Sequence, residues 1–125
     1  MSANTMVFLC GIYSLLFAVF HILFWKIFNW KKEVAHLHFT NGAILQILNL
    51  RLIYIFLLMA FICFYFNEEL IATRLGRTLL GGFSLFWAGR TLEQFVFFDL
   101  RNKYVNLLTF IFLVGTLLFL LPIIY

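Results

Sequence analysis

Four stretches of this chain are long and apolar enough to cross a lipid bilayer as helices, at about residues 7–28, 48–66, 79–98 and 105–124. Each comes close to the ~20 residues that a helix rising ~1.5 Å per residue needs to cover a ~30 Å hydrocarbon core. The runs are apolar throughout, whereas a barrel strand alternates every second residue, so helices with internally bonded backbones are the better solution. The sequence therefore predicts an all-α integral membrane four-helix bundle that forms one transmembrane domain over residues 1–125. It also predicts a short interfacial helix around Val34 to Gln46, between the first and second spans.

Composition agrees on the solvent. Of 125 residues, 65% are hydrophobic, 11% are charged and 18 are phenylalanine. Soluble domains average about half apolar and a quarter charged, and one this short leaves too much surface exposed to hide so many rings. The net charge of +4 is carried by Lys and Arg scattered around the ends of the apolar runs. No basic stripe forms, so the bilayer is the expected partner and nucleic acid is not. Met1 to Met6 has neither the basic region nor the small-residue cleavage site of a secretory signal, so the first run is expected to stay attached as a span.

The same charges orient the chain. Lys26, Lys31, Lys32, Arg51, Arg101 and Lys103 flank the first and third connections. Arg74 and Arg77 stand beside Glu68 and Glu69 in the second, and both tails have none. Basic residues favour the cytoplasmic side, which places both termini outside.

On that orientation the polar residues are one-sided. His21, Asn49, Arg51, Arg90, Glu93, Gln94, Asn106 and Thr109 fall in the cytoplasmic half, while the outer half holds only Ser14, Ser84 and Thr116. Polar groups are costly in lipid and face the bundle interior or a wet cavity. The pattern predicts a polar pocket open to the cytoplasm. Its candidate ligand-binding residues are Arg90 for an anionic group, Glu93 and Gln94 to orient it or carry a proton, and His21, Asn49 and Asn106. The competing reading is internal: an Arg90–Glu93 pair three residues apart, a hydrogen-bonded core histidine, Asn49 bracing a helix contact, and Arg51 reaching phosphate headgroups.

Neither catalysis nor a cofactor has a signature here. The histidines lack metal-ligand spacing, and bis-histidine haem needs two at matched depth. Ser14 and His21 lie about 10 Å apart along a helix, too far for a nucleophile and its base. Cys10 and Cys63 fall at similar depth in an antiparallel hairpin of the first two spans. Nothing in the sequence fixes their facing directions, and apolar packing is the simpler role. Gly81, Ser84, Ala88 and Thr91 make a small-residue stripe suited to close packing against a neighbouring helix or a second copy.

Three functions stay open on these residues. They are a small protein binding or transporting an anion or lipid headgroup, a non-catalytic accessory or assembly subunit of a larger membrane complex, and a membrane-embedded enzyme acting on a lipid.

Overall fold

The structure, a computed structural model, describes residues 2–125. In chain order it contains α1 (Ala3–Ile22), α2 (Phe24–Ile27), α3 (Trp30–Glu33), a 3-10 turn (Val34–His36), α4 (Phe39–Tyr65), α5 (Asn67–Ala72), α6 (Arg74–Phe97) and α7 (Lys103–Ile124). No strand occurs among the described residues.

Three of these helices, α1, α4 and α7, are long and apolar enough to cross a membrane, where the sequence led us to expect four. The exception is α6. Its 24 residues are sufficient in length, but Arg74, Arg77, Arg90, Glu93, Gln94 and several glycines dilute its apolar content. The single interfacial helix expected over Val34 to Gln46 is also replaced by a break. Leu37 is extended (φ −86°, ψ 155°), and Phe39 to Gln46 form the first turns of the 27-residue α4. His38 makes this start possible, because its ring Nδ1 accepts the Thr40 N–H at 3.3 Å and meets one of the donors a helix leaves open at its N-terminus.

The chain divides into two compact units, Gly11–Ile62 and the residues up to Cys10 together with Cys63–Tyr125. Within the first, α1 continues almost unbroken into α2. Leu23 between them donates to both Val19 O and Phe20 O at 3.1 Å and accepts from Ile27 N at 2.8 Å. Asn29 then turns the chain with φ 51° and ψ 49°, a left-handed conformation that asparagine tolerates better than most side chains. Phe17 meets Phe56 at 5.9 Å, and Phe17, Ala18, Phe56, Met59 and Ala60 are buried.

In the second unit α6 and α7 run antiparallel. Phe83 packs edge-on to Phe119 at 5.6 Å, Ser84 Oγ donates to Thr116 O at 2.7 Å, and Trp87 stacks on Phe112 at 5.8 Å. Asn102 caps α7, its Oδ1 accepting from Tyr104 N at 2.8 Å. Before it, Arg101 forks onto the solvated Asp99 carboxylate, holding that carboxyl below its usual range.

A proline near the end of α7 explains one of the cysteines. Pro122 has no N–H, so Leu118 O loses the donor that an uninterrupted helix would supply four residues on. Cys10 Sγ donates to that carbonyl at 3.3 Å, the kind of replacement partner that lets proline stand in an apolar helix. Cys10 and Cys63 are both buried thiols, with no disulfide between them. Cys10→Ala is expected to cost about 1 kcal/mol in thermal unfolding in detergent, and Cys10→Ser much less. In a Pro122→Ala background the helix recovers its own donor, so the penalty of Cys10→Ala is expected to shrink. An undiminished penalty there would show that Cys10 acts by packing alone.

Candidate functional site

Apart from Asn106, the candidate residues gather into one polar network in each unit. In Gly11–Ile62 the centre is His21. Its Nδ1 lies 2.8 Å from Asn49 Oδ1, and Asn49 Nδ2 donates to the His21 backbone O at 2.8 Å. The reciprocal pair settles the tautomer. Turning the Asn49 amide over would set two oxygens face to face at 2.8 Å, so Oδ1 faces the ring and Nδ1 carries the proton. Asn49 is 3% exposed. The carbonyl it serves belongs to the last turn of α1, where helix carbonyls lack intrahelical donors.

Aromatic rings enclose the imidazole. Phe24 lies 4.1 Å away, Phe56 5.0 Å, Phe20 5.8 Å and Phe17 6.5 Å. One helical turn further, Trp25 Nε1 donates to Gln46 Oε1 at 3.0 Å, and Gln46 Nε2 donates to Gly42 O at 3.2 Å. His21 and Trp25 are four apart and Gln46 and Asn49 three apart, so the two polar contacts stack as successive rungs between antiparallel helices. Gln46 was not among the candidates read from the sequence. The signal for it was present, since it is one turn from Asn49 on the same helix face.

In the second unit the centre is Gln94, 1% exposed. Its Oε1 accepts from Arg90 Nη2 at 3.0 Å. Its Nε2 donates to Val105 O at 3.2 Å and to Thr109 Oγ1 at 3.1 Å, and Thr109 in turn donates to Val105 O. Both ends of the amide are therefore occupied, and they tie α6 to α7. The Arg90 guanidinium also lies over the Phe112 ring, 4.5 Å from its centroid, a cation–π contact. Its contact with Glu93 is a long 3.5 Å, between side chains 32% and 56% exposed.

Asn106 is exposed and stands apart from the Gln94 network. Arg51 is exposed as well, its guanidinium 5.9 Å from the Tyr54 ring. Of the small-residue stripe, Ser84 is occupied by α7, and a methyl added to Gly81 would lie 3.7 Å from Ile123 Cδ1. Thr91 Oγ1 bonds back to Trp87 O at 2.8 Å. No group of three His, Cys, Asp or Glu side chains suited to a metal ion occurs among the described residues.

Comparison with protein-family models, with curated proteins and with solved structures returns no match.

Proposed function

We propose that this chain is a non-catalytic accessory subunit of a larger membrane assembly, crossing the bilayer four times, with α6 as the fourth span and both termini outside the cytoplasm. One observation carries the reading. The buried amides of Asn49 and Gln94 are bonded at both ends to a neighbouring side chain and to backbone, most completely at Gln94. Mutually satisfied polar groups of this kind rigidify a helix pair and select its register. They leave little bonding capacity for a substrate.

Function then falls to the outer faces, and α6 is distinctive there. Leu75, Leu85, Leu92 and Val96 are exposed on the same helix as the exposed Glu93. Such a face is too polar for lipid and too apolar for water, which suits a protein partner inside the bilayer. With a photo-crosslinking residue at Leu85 or Val96, the full chain in its native membrane is expected to give one discrete heterologous adduct. Adducts only between copies of this chain, or none, would overturn the proposal.

Arg90 favours a second reading, that the chain binds or transports a small anion or lipid headgroup. The guanidinium has five N–H donors, and two of its nitrogens are engaged, by Glu93 and Gln94. If this reading holds, the paired replacement Arg90→Gln with Glu93→Gln abolishes anion flux or binding in liposomes. Unchanged flux would eliminate it.

A further inference from the structure

The second unit also contains a site that the polar networks do not use. An open groove of about 420 Å³ runs between the start of α1 and the junction of α4 with α5, lined by Asn4, Thr5, Phe8, Phe64, Asn67 and Glu68. Phe8 and Phe64 pack against each other in its wall, their centroids 5.4 Å apart and their planes at 51°. Both rings are substantially exposed, and so is Glu68. Asn67 Nδ2 donates to Asn4 O at 2.9 Å, which fixes the amide orientation by the argument already made for Asn49. Its other end, Oδ1, is buried and has no hydrogen-bond partner.

An unmet acceptor, a carboxylate and two aromatic faces therefore meet in one groove whose lining includes no basic side chain. Each selects the same kind of ligand. A carboxylate and the negative face of a ring attract a cation, while an unmet carbonyl requires an N–H donor. Oδ1 itself is covered, and turning the half-buried Asn67 amide away from Asn4 exchanges that bond for one between Oδ1 and a ligand in the groove.

We propose that this groove binds the primary ammonium headgroup of a phospholipid, that of phosphatidylethanolamine. Glu68 and Asn67 Oδ1 accept its N–H groups, and the exposed outer surfaces of the Phe8–Phe64 pair lie beside the charge. A quaternary ammonium meets the charge and the rings but brings no N–H, so it leaves Asn67 Oδ1 unmet. The lipid, rather than a dissolved amine, is the occupant because the groove lies at the ends of α1 and α4. Both are long and apolar enough to cross the membrane, and their ends fall at headgroup depth.

The test is competitive lipid retention by the full chain in detergent micelles, read by native mass spectrometry, with phosphatidylethanolamine and phosphatidylcholine of identical acyl chains. Ethanolamine lipid is expected to be retained roughly tenfold more than choline lipid, the size of one charge-assisted contact. Glu68→Gln is expected to remove most of that preference and Glu68→Asp to keep part of it. Glu68 is the decisive position because Asn67→Ala also breaks the bond to Asn4, and the melting temperature of each variant verifies that the fold is intact. Equal retention of the two lipids, or a preference unchanged by Glu68→Gln in a folded variant, would overturn the proposal. Displacement of the lipid by dissolved ethanolamine at millimolar concentration would overturn the lipid as occupant.

Discussion

Replacing Gly76 with alanine is expected to be among the most damaging single changes in this chain, costing about 3 kcal/mol or more of stability. Gly76 lies in the first turn of α6, where that helix turns back on α5. A methyl placed there collides with the Glu69 carbonyl oxygen and the Leu70 Cα, and lies 2.6 Å from the Leu70 carbonyl oxygen. These are backbone atoms and cannot rotate away. Thr73 locks them further, its hydroxyl donating to Glu69 O at 2.7 Å and accepting from Gly76 N at 2.9 Å. To admit a methyl, the corner must open and the cap must break.

Two other glycines serve as controls. A methyl on Gly82 meets nothing within 4 Å, so Gly82→Ala is expected to be neutral or to stabilise by up to about 1 kcal/mol through helix propensity. A methyl on Gly42 lies 2.8 Å from Val34 Cγ1 and 3.4 Å from Val34 O; one side-chain methyl group on a stiff, β-branched residue must give way, and the change is expected to cost about 1–2 kcal/mol. Thermal unfolding followed by circular dichroism in detergent ranks the three. A Gly76→Ala protein as stable as the Gly82→Ala protein would show that the corner does not constrain the fold.

This corner also marks a limit of what the sequence made legible. Uninterrupted apolar runs announce helices from composition alone, so the identity of α1, α4 and α7 as candidate spans was readable in advance. The beginning of α4 was not, because Asn41, Gly42 and Gln46 interrupt the apolar pattern ahead of Leu48. Gln46 is tolerated there because Trp25 donates to it, and sequence alone does not place that indole. Gly76 has an unremarkable helical spacing, and only the path of α5 reveals why it has no side chain.

The candidate residues divide in the same way. Their position within apolar runs was legible as polarity, which is local. Whether they line a cavity or bond to each other depends on facing directions, which are tertiary. Gln94 and Asn49 proved to be the two buried hubs, whereas Asn106, read as their equal, is exposed. Helical spacing placed Asn106 near Thr109 but left undetermined which side of α7 meets α6. The thiol of Cys10 shows the reverse case, since its role follows from Pro122, more than a hundred residues away.

The second large effect is expected at His21 and Asn49. Asn49→Leu removes two bonds of 2.8 Å at once, and leaves a ring N–H and a last-turn carbonyl without their partner in an aromatic surrounding. An unmet buried polar group costs about 1–3 kcal/mol, although interhelical bonds measured in membranes average less than 1. A loss of about 2 kcal/mol is the expected result. His21→Phe removes only the ring bond, because the Asn49 amide can still donate to the backbone carbonyl of residue 21. The new ring joins Phe17, Phe20, Phe24 and Phe56, and its cost is expected to be the smaller.

The double variant separates site from brace. If the pair is structural, His21→Phe with Asn49→Leu is expected to be more stable than Asn49→Leu alone, because no ring N–H is then left unmet. The coupling between the two changes should be about 1 kcal/mol. The partner adduct expected through α6 should persist in that variant. If the histidine instead carries protons for a transported ligand, stability recovers but flux does not. Stability and function thus move together under one reading and part under the other, and nitrogen-15 chemical shifts of the His21 ring provide an independent check. The geometry requires the proton on Nδ1; a ring protonated on Nε2 would remove the reciprocal bond on which the bracing argument for this unit rests.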